Sequence, residues 1–379
     1  MSESSPPPLN LDREDFLARY WQRKPLHIPG AIADFKPPIS SHELAGLALE
    51  DGVESRIVEY RDDQWALHHG PFESTDYDRQ HPWTLLVQAV DHWVPEVAEL
   101  RKLVDFLPQW RVDDVMVSYA PDGGSVGPHF DNYDVFLLQG AGQRRWQVGP
   151  YCDADTRLLP HEELRLLQTF VVEQEFLLNT GDILYLPPGF AHWGTAVGEC
   201  TTFSIGFRAP RITAMVSRFI DQLLEQLEPD QFYHDAIQVA ATRAGELRPR
   251  DLDRALAQLQ GALDQASGNQ WFGELVTEPR YDTFPDEDDL AEARKCMQDG
   301  PNFVLLSPAS RLAWQQEASG IRVYANGDSR SFDDTVLSGL IELCERWRLE
   351  GGRLAAMQEN ASGTELLDYL LETGCIYVE

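Results

Sequence analysis

Two histidines and an aspartate form a set that can hold a metal ion. In the segment GPHFDNYDVFLLQG, His129 and Asp131 are two residues apart at the entrance to a strand-like run. In extended backbone, residues i and i+2 point to the same side, so both can reach one ion while Phe130 faces away. His192 follows the Pro-Pro-Gly turn of YLPPGFAHWG and opens another such run. Two imidazoles and one carboxylate on one face of an iron leave its other positions open, as non-haem Fe(II) oxygenases require. A structural zinc site would close those positions and would more often use thiolates. The other histidines lack this pattern. His68 and His69 have no carboxylate at ligand spacing, and His27, His42, His81, His92, His161 and His234 are isolated. All eight read as surface or packed side chains.

Iron with open positions needs an electron source before it can activate O2. A 2-oxoglutarate would chelate through its 2-oxo acid and leave a far carboxylate that must meet a cation. Arg144 and Arg145 follow the turn GAGQ directly after the His-x-Asp run. Alternation separates them: Arg144 shares its phase with Trp146 and Val148, whereas Arg145 goes with Gln143 and Gln147. An arginine on the apolar face needs a buried anion, and its planar fork matches a carboxylate bidentately. The alternative for Arg144 is an internal salt bridge. Arg145 is expected in solvent.

Short β-type runs surround these residues. They are DVMVSYA, YDVFLLQ, RRWQVG, TFVVEQEFLLN, DILYLPP, HWGTAV and TTFSIGF, punctuated by Gly and Pro and ending near Pro210. Seven or more short strands with regular turns indicate an all-β sandwich or barrel. Before them, Ser/Pro-rich residues 2–9 read as a leader. A helix is expected over Asp12–Lys24, ended by Pro25. A second is expected over Pro82–Leu103, with Trp83, Leu86, Val87, Val90, Trp93, Val94 and Val97 as its apolar stripe. After the strands come three helical stretches, ITAMVSRFIDQLLEQL, FYHDAIQVAATRA and DLDRALAQLQGALDQA, which suit packing or dimerisation. The remainder is α+β: helical DDLAEARKCMQ, strand-like NFVLLS and IRVYANG, then helices around TVLSGLIELCERW and ELLDYLLE. Helices with a short β-wing suggest a winged helix-turn-helix.

Acidic side chains number 62 and basic ones 31, a formal net charge of -31. Nucleic-acid binding normally requires clustered Lys and Arg to neutralise phosphates, so direct contact with RNA or DNA is disfavoured. The winged-helix-like end, residues 271–379, carries 21 acids against 9 bases. Such a field attracts a basic peptide or protein. Five scattered cysteines without a Cys-x-x-Cys pair indicate neither a disulfide framework nor a zinc site. The N-terminus lacks the basic and apolar regions of a secretory signal, and no apolar run reaches membrane-spanning length, so an intracellular protein is expected.

The motifs FLARYWQRKPLHIPGA, SYAPDGGSVGPHFDNYDVFLLQGAGQRRWQVG and GDILYLPPGFAHWG together resemble the bacterial ribosomal oxygenases of the Jumonji-C class. The resemblance is greatest to the arginine hydroxylases of large-subunit ribosomal protein L-sixteen, and it spans nearly the whole chain. It implies an α+β protein with a double-stranded β-helix (cupin) barrel over about 100–210, inside an oxygenase domain of residues 1–210. A helical dimerisation region over 211–268 and an acidic winged-helix-like domain over 269–379 would follow. It further implies Fe(II) held by His129, Asp131 and His192, with O2 and 2-oxoglutarate as cosubstrates. Arg144 would anchor the far carboxylate of 2-oxoglutarate, where many Jumonji-C enzymes place Lys, and Ser118 would touch the cosubstrate. The implied activity is 3-hydroxylation of an arginine in a basic ribosomal protein by a cytoplasmic homodimer. Rival readings are an oxygenase with a histidyl or small-molecule substrate, a metal-binding cupin without turnover, and a winged-helix regulator.

Overall fold

The computed structural model describes residues 9–234, 243–265 and 270–378. It divides into two compact units, Met1–Ala209 with Ser307–Ala309 and Pro210–Leu306 with Ser310–Glu379.

The first unit opens with α1 (Arg13–Arg19), where the Asp12 side chain accepts from the Asp15 N–H and Phe16 is buried. This helix stops well short of Pro25, because Gln22 takes a left-handed φ of 55 and turns the chain into β1 (Leu26–Ile28). Next come α2 (Ser41–Leu47), started by a Ser40–Glu43 capping box, the hairpin β2 (Ser55–Arg61) and β3 (Gln64–His69), and β4 (Trp83–Val87). The helix expected over Pro82–Leu103 is therefore not formed. Trp83, Leu85 and Val87 enter the core at a period of two, and β4 hydrogen-bonds between β2 and its later neighbour. Beyond it Ala89 adopts φ 50, and only short turns of helix follow, including α3 (Pro95–Ala98). The same apolar residues satisfy both periodicities here. Two open strand edges decide between them.

The later strands are β5 (Val112–Ala120), β6 (Val135–Gln139), β7 (Gln143–Tyr151), β8 (Gln174–Asn179), β9 (Ile183–Leu186), β10 (Phe190–Val197) and β11 (Cys200–Phe207). The strand read from TFVVEQEFLLN begins only at Gln174; Val171 and Val172 are exposed. An eight-stranded sheet runs β1-β9-β6-β11-β5-β4-β2-β3, and a three-stranded sheet runs β10-β7-β8. Their inner faces meet through Val135, Leu137, Leu184 and Leu186 of the large sheet against Trp146, Val148 and Leu178 of the small one. The outer face of the large sheet buries Val117, Phe136, Tyr185 and Phe203 with Phe16 of α1 and Leu44 of α2. Burial on both faces explains why VFLL and ILYL are unbroken apolar runs.

The second unit holds α4 (Ile212–Gln226), α5 (Pro249–Gln265) and α6 (Gln270–Thr277). The helix read from FYHDAIQVAATRA falls largely outside the described residues. Then follow α7 (Glu287–Asp299), β12 (Phe303–Leu306), β13 (Leu312–Glu317), β14 (Gly320–Ala325), β15 (Asp328–Phe332), α8 (Leu337–Arg346), β16 (Arg348–Glu350), α9 (Gly351–Glu359), α10 (Ala361–Glu372) and β17 (Ile376–Val378). Two small sheets, β16-β12-β17 and β13-β14-β15, share one core with these helices. Among the described residues no helix is long and apolar enough to cross a membrane.

Candidate metal centre

The loop after β5 and the start of β10 bring His129, Asp131 and His192 together. Their ligand atoms all lie within 4.8 Å of one another. His192 Nε2 is 3.6 Å from Asp131 Oδ2, and His129 Nε2 is 4.0 Å from the same oxygen. A two-residue backbone bridge makes this possible: His129 N–H donates to the His192 carbonyl at 3.0 Å, and His192 N–H returns the bond at 2.8 Å. Gly189, at φ +83 in the Pro-Pro-Gly turn, donates its N–H to the Asp131 carbonyl at 2.7 Å. Only glycine adopts that φ without strain.

Each imidazole also has its second nitrogen occupied. His129 Nδ1 is 2.9 Å from the Gly127 carbonyl, and His192 Nδ1 is 2.9 Å from the Phe190 carbonyl. An N–H donated to a carbonyl fixes the tautomer and leaves Nε2 as a lone-pair donor to a metal. Burial lowers the His192 pKa to about 4, the nearby His129 adding to this and Asp131 opposing it. A neutral imidazole is the form a metal takes up. Phe130 faces away, as alternation requires, and packs beside Cys152, Leu167 and Ala191.

Arg144 projects from β7 into the space between the two sheets and is only 4% exposed. Its Nη1 donates to Ser118 Oγ on β5 at 3.3 Å and to Thr202 Oγ1 on β11 at 3.4 Å. Its Nε has no partner, and among the described residues no carboxylate lies within ion-pair distance of it. The internal salt bridge is thus absent. Arg145 points the other way into solvent, 3.8 Å from Glu175. On the same inner face, Trp146 lies near both Arg144 and His192, with its ring centroid 5.6 Å from the guanidinium carbon and 5.9 Å from the tilted imidazole. Gly194 makes room for that indole, since a Cβ there would stand 2.7 Å from it.

Comparison with known proteins agrees with this geometry. Residues 99–215 match the JmjC domain, and residues 254–377 match the ROXA-like winged helix. The chain is 36% identical over 381 residues to the ribosomal protein uL16 3-hydroxylase of Escherichia coli (strain K12), covering 98% of this chain and 99% of that protein. It is 31% identical over 394 residues to the probable ribosomal oxygenase of Haemophilus influenzae, covering 98% and 96% respectively. The chain belongs to the Jumonji-C ribosomal oxygenases. The solved structure of the E. coli ribosomal oxygenase YcfD in complex with cobalt and 2-oxoglutarate superposes with a TM-score of 0.83 at 33% identity, over 98% of this chain and 99% of that one. The two-sheet unit is accordingly a Jumonji-C cupin, and the C-terminal unit carries the winged helix.

The donor set of this ribosomal oxygenase fits a divalent iron: one carboxylate oxygen and two imidazole nitrogens, with no fourth His, Cys, Asp or Glu in the cluster among the described residues. The unpaired Arg144 fits a dicarboxylate. Sequence reading missed two further polar groups on the inner faces, Thr202 and Asp114, and one beside the metal ligands, Tyr133. Thr202 sits on β11, opposite Ser118 in register. Asp114 lies on β5 in phase with Met116 and Ser118 and is 3% exposed, while Val115 and Val117 face the opposite core. Tyr133 is 42% exposed and sits beside Asp131, whose negative charge above all pushes its phenol well above the ordinary range. A polar phase within DDVMVSYA was the available signal for Asp114. The isolated histidines were misjudged in one respect. His68 and His81 share Glu59, at 3.1 and 2.6 Å, and His69 meets Glu163 at 2.8 Å, through tertiary contacts that spacing does not show.

Proposed function

We propose that this chain is an Fe(II)- and 2-oxoglutarate-dependent hydroxylase that oxidises C3 of an arginine in ribosomal protein uL16. The observation that carries this reading is Arg144: a buried cation without a carboxylate, opening onto the same interior as His129, Asp131 and His192. The metal and cosubstrate recorded for the E. coli relative support it.

His129, Asp131 and His192 would hold the iron, their Nδ1 bonds keeping both rings oriented. When bound, iron and 2-oxoglutarate supply oxidising power from O2, with succinate and carbon dioxide as the other products. Arg144 receives the far carboxylate through its fork, and Ser118 and Thr202 keep that fork level. Trp146 and the Leu/Val cluster around it exclude water from the cosubstrate. Asp114 offers a buried carboxylate to the guanidinium of the substrate, on the strand face that also carries Ser118. Tyr133 feels the charges of both Asp131 and Asp114. Charge at Asp114 favours an arginine over a neutral histidine.

The excess of acidic side chains favours a basic protein as substrate and disfavours direct contact with its RNA, and the reaction belongs in the cytoplasm, where ribosomes assemble. Exposed Ile212, Val216, Ile220 and Leu224 form one stripe along α4, and Leu252, Leu256 and Leu259 another along α5. We assign these stripes to a homodimer interface within residues 211–268. Mass spectrometry of ribosomal proteins from a deletion strain tests the activity. The uL16 protein should lose the mass of one oxygen atom at an arginine; an unchanged uL16, or loss at a histidine of another protein, overturns the proposal.

A further inference from the structure

Asp114 does not stand alone on its strand face. Gln88, the residue after β4, donates its side-chain N–H to Asp114 Oδ2 at 2.6 Å. The oxygen of the same amide accepts from Arg56 Nη2 on β2 at 3.0 Å. The three side chains cross the large sheet in strand order, from β2 through β4 to β5. A guanidinium has donors only, whereas an amide has one accepting and one donating end. Arg56 therefore dictates which end of Gln88 faces it, and the NH2 group is left for Asp114. Were the amide reversed, two oxygens would oppose each other across the Asp114 contact. On the other side of the carboxylate, a Cβ on Gly206 of β11 would be 3.6 Å from Asp114 Oδ1.

We infer that Gln88 is a positioning residue for the substrate arginine, setting the rotation of the Asp114 carboxylate, with Arg56 setting the amide of Gln88. This rests on the reading that Asp114 receives the substrate guanidinium. A bidentate guanidinium–carboxylate pair depends on the plane of the carboxylate as well as on its charge. The hydrogen bond at Oδ2 helps to fix the plane of the Asp114 carboxylate, which reduces the ordering cost at binding. Gln88 thus acts on the substrate through Asp114 and on neither the metal nor 2-oxoglutarate.

The test is steady-state kinetics with basic arginine peptides cut from ribosomal protein uL16, at saturating Fe(II) and 2-oxoglutarate. Gln88→Leu should raise the peptide KM about ten-fold, the usual worth of one hydrogen bond to a charged group, and leave the KM for 2-oxoglutarate unchanged. Arg56→Met should raise the peptide KM less, and Arg56→Lys, which keeps a donor, should restore it. In an Asp114→Asn background Gln88→Leu should add nothing, because two residues acting in series are not additive. Additive losses, or equal rises in both KM values, would make Gln88 a merely structural residue and overturn the inference. Should Gln88→Leu fail to fold in a thermal melt, the Arg56→Met and Arg56→Lys pair decides by the same criterion. If Asp114→Asn itself leaves the peptide KM unchanged, the guanidinium site is wrong. If only the Gln88 and Arg56 variants are silent, the site stands and the relay falls.

Discussion

Arg144 Nη1 lies 3.3 Å from Ser118 Oγ, joining β7 of the small sheet to β5 of the large one. The contact leaves the Arg144 Nε without a partner, and among the described residues no carboxylate pairs with the guanidinium. Cys200 is also near, its thiol raised by burial while Arg144 works against the rise.

Arg144→Ala should raise the KM for 2-oxoglutarate about a hundred-fold, since truncating one partner of a buried charge pair costs roughly 2–5 kcal/mol. Arg145→Ala should change it little, because that side chain is 54% exposed and its pairing with Glu175 is loose. The measurement is succinate formation against 2-oxoglutarate concentration. Equal damage from the two substitutions would contradict the strand phase.

His129→Ala and Asp131→Ala should each remove binding of manganese, used in place of iron, and end turnover. Both side chains are about a quarter exposed, so the metal-free fold should survive with little change in Tm. Calorimetric titration with manganese and circular dichroism on the same samples separate the two effects. A variant that still binds manganese with full affinity would remove that residue from the ligand set.

Charges placed on the stripes of α4 and α5 should yield monomers. Val216→Asp and Leu256→Asp put an unpaired carboxylate into the interface assigned above, a change of several kcal/mol if the site is dry. Sedimentation equilibrium reads the outcome. A wild-type protein that already sediments as a monomer at micromolar concentration would refute the assignment.

Glu59 gives a pH-dependent prediction. Burial pushes its carboxyl up, but hydrogen bonds from His81, His68 and Arg79 outweigh this and hold it at about 2. Its folded pKa is below the ordinary value of 4.5, so its stabilisation is present above that pH and is lost as pH falls toward 2. Glu59→Gln should lower stability by about 1–3 kcal/mol at neutral pH. In urea melts the gap between variant and wild type should narrow below pH 4.5 and close near 2; a constant gap would mean the ionised form is not what matters.

The chemistry of the centre was legible in the linear chain because it depends on short-range geometry. His-x-Asp places two ligands on one side, Pro-Pro-Gly sets the third at a strand entrance, and alternation separates Arg144 from Arg145 whatever the neighbouring strands are. The winged-helix-like end was legible for the same reason, as local periodicities of helix and strand. What surrounds these residues was not. Trp83–Val87 carries an apolar pattern compatible with a helix, and it became β4 because β2 and β5 offered it backbone partners on both edges. Thr202, Gln88 and Arg56 acquire their roles only when β11, β4 and β2 are laid beside β5. Those contacts join residues far apart along the chain, and no spacing rule encodes which strand edges will pair. Side-chain type and local phase set what each residue can do, whereas strand order sets which residue it does it with.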